Sequence, residues 1–239
     1  MTFAHLKEFA KRASMAYELS LSNKEALNDA NYRRDLVNNQ ILERALLEAH
    51  QLSETLTLYT ESCVLEYALA LMELTRAYAL RSDLEMVELL FYRIPRVPRS
   101  LELDFVIAQT AFLHAELSIK NGMLDKACEI YYGHFPEASS LGPELIRLDL
   151  AGLLVESYLD RGELEKAKRL FYSYMPDDEI RFFCPVPADK DDYAREEFSR
   201  ILQRIGESLL KYSERNQDTL TFSEIGTKLG KFADGAMGL

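Results

Sequence analysis

The chain has no tryptophan and only three cysteines, and it reaches Pro95 before its first proline and Gly122 before its first glycine. Cys63, Cys128 and Cys184 are odd in number and far apart, with no C-x-x-C pair. That spacing excludes a disulfide framework and the usual zinc spacings, and it fits free thiols in the reducing cytoplasm. No apolar run approaches the roughly 18 residues of a membrane span. Lys7, Glu8, Lys11 and Arg12 interrupt Met1–Tyr17, so no signal-peptide core is expected and no membrane partner.

Positive charge is also scarce. Lysine and arginine number 28 against 39 acidic residues, a net charge of −11. By segment the balance is −1 for 1–60, −1 for 61–100, −4 for 101–142, −3 for 143–184 and −2 for 185–239. A nucleic-acid surface works by releasing counterions from phosphates through clustered Lys and Arg, and no segment is basic. Nucleic acid is therefore not an expected partner, and a peptide or protein with a basic face is. The hydrophobic share of 48% is that of a chain able to bury a sizeable core.

A 94-residue stretch without helix breakers points to long helices, and an internal repeat organises the middle of the chain. Arg81-Ser-Asp-Leu-Glu-Met-Val-Glu-Leu-Leu-Phe-Tyr92, Asn121-Gly-Met-Leu-Asp-Lys-Ala-Cys-Glu-Ile-Tyr-Tyr132 and Arg161-Gly-Glu-Leu-Glu-Lys-Ala-Lys-Arg-Leu-Phe-Tyr172 align at offsets of 40 residues. Leu84, Leu124 and Leu164 correspond, as do Val87, Ala127 and Ala167, and then Leu90, Ile130 and Leu170. This spacing is one face of an α-helix. Each copy closes on an aromatic pair, and a proline comes after it at 95, 136 or 176 to stop the helix. An upstream helix repeats with the same offset: Leu71, Leu74 and Tyr78 match Ala111, His114 and Ser118, then Ala151, Leu154 and Tyr158. Ser82-Asp83, Asn121-Gly122 and Arg161-Gly162 supply the turns, and Ser82 with Glu85 reads as a capping box.

Each unit of about 40 residues is then a helix pair that needs neighbours to bury its apolar face. The expected organisation is an N-terminal helical region over 1–60, three helix-pair repeats over 61–184 divided near 100 and 142, and a capping helix with a short tail over 185–239. In the first region helices are expected over 3–20 and about 22–56, with Ser22 or Asn23 as a cap. Ala16 to Ala26 faintly echoes the repeat through Tyr17 and Ala26. Ile180 to Pro187 breaks the helical pattern, because Pro185 and Pro187 remove two backbone donors. Phe198, Ile201, Leu202, Ile205, Leu209 and Tyr212 share a face of the capping helix. Thr221 to Leu239 reads as a weak, glycine-diluted helix.

Leu154, Tyr158, Gly162, Ala167 and Phe171 resemble the tetratricopeptide repeat, although the period here is 40 rather than 34 and Ser82, Val87, His114 and Ser118 depart from its pattern. The resemblance implies an all-α fold, a right-handed superhelix of antiparallel helix pairs, with a concave groove lined by first helices. The groove contacts it implies are Glu73, Arg76, Gln109, Glu116, Arg147 and Glu156, with His114 as a core or groove histidine. Their plain alternative is a solvated helix face. Gly162 to Pro176 is also similar to the second helix of a pentatricopeptide repeat, a family that reads single-stranded RNA; the acidic balance and the period argue against it.

Motifs for catalysis are lacking. His5, His50, His114 and His134 have no HExxH or i, i+4 partner, so no metal site, cofactor or catalytic residue is expected. Gly226 to Lys231 lacks the spacing and the Ser or Thr of a phosphate loop. Asp177-Asp178-Glu179 and Asp189 to Asp192 lack the alternation of a calcium loop. The function expected is a non-enzymatic, cytoplasmic protein-interaction module, an adaptor or scaffold that holds a partner segment in its groove. The alternatives are an RNA-binding repeat protein and a helical regulator with a small ligand near His114 or the tyrosines. Leu36, Ile41, Leu42, Ala45, Leu46, Leu52 and Leu56 offer a possible homodimer face.

Overall fold

A computed structural model describes residues 8–18, 31–53, 61–97, 100–135, 141–174 and 192–237. Ser22, Asn23, Ala26, Pro136, Pro176 and the break at 180–187 lie outside the described residues. Ten helices and no strand occur among those described: α1 (8–18), α2 (Asn31–Ser53), α3 (Glu61–Leu80), α4 (Leu84–Arg93), α5 (Leu101–Lys120), α6 (Leu124–Gly133), α7 (Leu141–Asp160), α8 (Leu164–Tyr172), α9 (Asp192–Arg215) and α10 (Thr219–Met237). The chain is all-α. Helices α3, α5 and α7 are each 20 residues long and begin 40 residues apart, and α4, α6 and α8 keep the same offset. The repeat is thus one of structure as well as of residue type.

The chain divides into two compact units, residues 1–121 and 122–239. The division falls within the turn Asn121-Gly122 of the middle repeat, a point that the 40-residue period gives no reason to prefer.

In the first unit α3 packs on both α4 and α5, and α4 packs on α5. The repeat positions form the core: Leu71, Leu74, Tyr78, Val87, Leu90 and Phe91 are all buried. Burial of a large apolar side chain is worth about 1.5–3 kcal/mol, so these positions hold α3 and α4 together. Helices α1 and α2 join this core through Phe9, Ala13, Leu42, Ala45 and Leu52. The Tyr67 hydroxyl donates to the Ala49 carbonyl at 2.9 Å, and its ring lies 5.9 Å from that of Phe9. Arg12 and Glu48 form an ion pair at 2.7 Å. The apolar residues Leu42, Ala45 and Leu52 are therefore occupied inside their own unit.

In the second unit α7 packs on α6, α8 and α9, and α9 packs on α8 and α10. Ala151, Leu154, Tyr158, Ala167, Leu170 and Phe171 are buried at the expected positions. The Arg161 guanidinium donates to the Gly122 carbonyl at 2.9 Å, joining successive turns.

Helices α9 and α10 form a fourth helix pair of the same kind, where the residue pattern predicts a capping helix and a weak tail. Asp218 N–H donates to the Ser213 carbonyl, as Asp83 does to Tyr78 and Glu163 to Tyr158. Counting back from the turn, Gly206, Leu209 and Ser213 take the places of Ala151, Leu154 and Tyr158. Gly206 marks a close approach to α10, since a Cβ there would stand 2.7 Å from Leu229 Cδ1 and the Leu229 side chain would have to shift.

The second residue of each turn is left-handed: Ser82 at φ 58°, Gly122 at 76°, Gly162 at 75° and Gln217 at 56°. Two solutions occur. The middle turns use glycine, and Met123 and Glu163 then make no side-chain cap bond. The outer turns use a residue with a Cβ, and an aspartate caps the helix: Asp83 accepts from Met86 N–H at 3.2 Å and Asp218 from Thr221 N–H at 3.0 Å. A left-handed L-residue costs roughly 1–2 kcal/mol, and a helix cap such as Asp83 contributes about 1 kcal/mol, so the aspartate largely offsets the strain beside it. The capping box expected at Ser82 is thereby corrected. Ser82 is bent into the turn, and the cap is its neighbour.

Candidate functional site

The polar residues of the first helices fall into place unit by unit. On α3, Arg76 donates to Glu73 at 2.8 Å, and its guanidinium carbon lies 5.9 Å from the Tyr17 ring. On α5, Gln109 is half-buried, and Glu116 accepts from Lys120 at 2.7 Å. His114 is not on this face. It is fully buried, with its ring 5.3 Å from that of Phe91 and 6.3 Å from that of Tyr92. A position that carries leucine in both sister repeats points inward, and the imidazole does the same. Ser118 beside it donates to the His114 carbonyl at 2.8 Å, which satisfies a hydroxyl standing where the sisters have tyrosine.

The most informative residues of this face carry no motif that marks them in the sequence. Leu69 on α3 and Phe105 on α5 are each 40% exposed. They sit off the core positions, on the stripes that also carry Glu73, Arg76 and Gln109. Leu69 and Gln109 stand 40 residues apart at the same place in the repeat, so the two stripes are equivalent faces of two helices that pack on each other. Large apolar residues left outside the core were the available signal, and Leu69 and Phe105 are two of them, beside others such as Leu47, Leu101 and Leu220.

In the second unit Glu156 is exposed, and Asp149 on α7 pairs with Arg204 on α9 at 2.9 Å. Arg147 instead faces a polar cluster, its guanidinium carbon 5.1 Å from the Tyr131 ring. The Tyr131 and Tyr174 hydroxyls are hydrogen-bonded to each other, and Glu144 is buried nearby. Burial raises the Glu144 carboxyl above its ordinary 4.5, and the charge of Arg147 only partly opposes this. Burial also raises both tyrosines. For Arg147, burial works downward and is outweighed by the oxygens of Tyr131, Tyr174 and Glu144.

The aromatic pairs have a structural logic. The first members, Phe91, Tyr131 and Phe171, are buried, while Tyr92 and Tyr132 are 54% and 67% exposed. Each pair carries a cation on one ring: Arg96 on Phe91 at 4.9 Å, Arg147 on Tyr131 at 5.1 Å and Lys228 on Tyr172 at 4.7 Å. Such contacts are worth about 0.5–1 kcal/mol near the surface.

Among the described residues no group of three His, Cys, Asp or Glu side chains is placed to hold a metal ion, and no helix is long and apolar enough to cross a membrane. Cys63 is buried, and Cys128 shares a hydrogen bond with the Tyr158 hydroxyl at 2.9 Å. No protein-family model, curated protein or solved structure matches the chain.

Proposed function

We propose that the chain is a non-enzymatic, cytoplasmic protein-interaction module whose helix pairs are tetratricopeptide-like and wind right-handed within each unit. The binding surface is the first-helix face of α3 and α5. The observation that carries this reading is the exposure of Leu69 and Phe105 on two helices packed together, flanked by Glu73, Arg76, Gln109 and Glu116. Apolar anchors within a polar rim are the usual anatomy of a protein interface. The charge of −11 favours a partner with a basic face, through the field it sets up at long range.

The test compares the wild-type chain with a Leu69→Asp, Phe105→Asp double variant as bait in extracts of the source cell, at low and moderate salt. A partner retained by the wild type and lost by the folded double variant supports the reading. Identical retention by both chains, or none by either, sinks it.

A further inference from the structure

Among the ten helices, α8 stands apart in charge, with Lys166, Lys168 and Arg169 against Glu165 alone. The other nine are neutral or acidic by the same count. Lys168, Arg169 and Tyr172 share one face of α8, and α10 covers part of it. Lys168 approaches the Glu224 carboxylate at 3.3 Å and the Thr221 hydroxyl at 3.4 Å. The Tyr172 hydroxyl donates to Glu224 at 3.5 Å, and the Lys228 ammonium stands 4.7 Å from the Tyr172 ring. Thr221, Glu224 and Lys228 are three and four residues apart, so one face of α10, a helix that packs on α9, reaches α8 through its side chains with the Glu224 carboxylate at the centre.

We propose that the α8 face formed by Lys168, Arg169 and Tyr172 is a docking site for an acidic helical segment of a partner protein, and that α10 is its built-in competitor. This surface is separate from the α3–α5 face and does not depend on it. Three observations carry the inference. Charge complementarity comes first: Glu165 reaches Lys168 at 3.6 Å and Glu163 pairs with Lys166, which leaves Arg169 as the cation of this face without a carboxylate of α8 paired to it. With a Debye length of about 8 Å at physiological salt, a docked helix responds to this local balance more than to the charge of the whole chain.

Second, α10 fits the face incompletely. Its one carboxylate here is engaged by Lys168 and Tyr172, Arg169 stays exposed, and Lys228 brings a further cation to a face that is already basic. A segment with two carboxylates a turn apart would meet both Lys168 and Arg169. Third, α10 is a weak occupant of this face, because its packing is on α9 and its polar contacts to α8 are at the long end of the hydrogen-bond range. It also contains Gly226, Gly230 and Gly235, the least helix-prone residue type after proline. The fold does not need this tyrosine covered, since Tyr92 and Tyr132 stand exposed at the equivalent positions.

The experiment uses the full chain and a fluorescein-labelled, alanine-based helical peptide of about 18 residues with glutamates along one face, beside a version with glutamines in their place. Binding is monitored by fluorescence anisotropy. The wild type is expected to bind the glutamate peptide weakly. The Glu224→Gln, Lys228→Ala variant is expected to bind it about five-fold more tightly, the scale of one or two surface charge contacts, and to ignore the glutamine peptide. Adding Lys168→Ala and Arg169→Ala should abolish binding. Hydrogen exchange on the same variant should quicken in α10 while α7 and α9 keep wild-type protection. Equal binding by wild type and variant, binding that survives loss of Lys168 and Arg169, or equal binding of the glutamine peptide overturns the proposal. If the double variant also loosens α9, Glu224→Gln alone answers the question through the same binding readout, because it removes one exposed charge.

Discussion

The four turns make opposite predictions for one kind of substitution. Gln217 holds a left-handed φ of 56° with a side chain that stays exposed, so replacing it by glycine removes a steric cost and no contact with the core. That cost is roughly 1–2 kcal/mol. Glycine also gives the unfolded chain more freedom, which returns about 0.4–1 kcal/mol. The net expectation is that Gln217→Gly stabilises by about 0.5–1 kcal/mol. At Gly162 the same arithmetic runs backwards. A Cβ there would meet only the Tyr212 hydroxyl at 3.8 Å, which is ordinary contact, so the penalty is purely one of backbone conformation. Gly162→Ala is therefore expected to destabilise by about 0.5–1 kcal/mol. Thermal unfolding by far-ultraviolet circular dichroism reads both, as shifts of about 1–4 °C in opposite directions for a chain of this size. Urea denaturation checks that the slope of the transition is unchanged. A Gln217→Gly variant that melts lower, or a Gly162→Ala variant that melts with the wild type, would refute the claim that α9 and α10 close through the same turn as the repeats.

Asp83→Ala should cost about 1 kcal/mol in urea unfolding, while Ser82→Ala leaves the α4 cap intact and falls well short of that. Tyr131→Phe and Tyr174→Phe should each cost about 1 kcal/mol, and the double variant little more than either, since both remove one shared hydrogen bond; a fully additive double-mutant cycle would contradict this. For Glu144 the folded carboxyl is raised by burial, so ionising it opposes folding: its contribution is most favourable below the unfolded value and is lost as pH rises through the raised folded value. Glu144→Gln should then flatten the fall in melting temperature in the window above pH 4.5, and an unchanged profile would show that the carboxyl is not desolvated.

The fold was legible in the sequence wherever a repeat needs a specific residue. Buried positions such as Val87, Ala127 and Ala167, or Leu90, Ile130 and Leu170, demand apolar side chains of limited size, so their period survives in the residue types and yields helix lengths in near-exact register. The fourth pair was hidden because it meets the same demands differently. Its turn lies 55 residues beyond Gly162 rather than 40, its left-handed residue is Gln217, and α10 carries Phe222 and Gly226 where the sisters have valine or alanine and an aromatic. The signal that remained was Asp218 three residues before Thr221, the same arrangement as Asp83 before Met86, and capping chemistry is local enough to be seen without the period. The candidate surface was legible only in part for a related reason. A polar residue on a first helix is equally at home in water, in an ion pair such as Glu73–Arg76, or over a ring as Arg147 is over Tyr131, so its type does not reveal its neighbours. An apolar residue in excess of the core is more telling, because exposure of Leu69 and Phe105 costs the fold burial energy that packing elsewhere would recover. The same reasoning marks α8. In an acidic chain, a short helix with three basic residues and an exposed Arg169 is a departure from the surrounding balance, and the chain answers it with Glu163 on Lys166 and with Glu165 and Glu224 on Lys168.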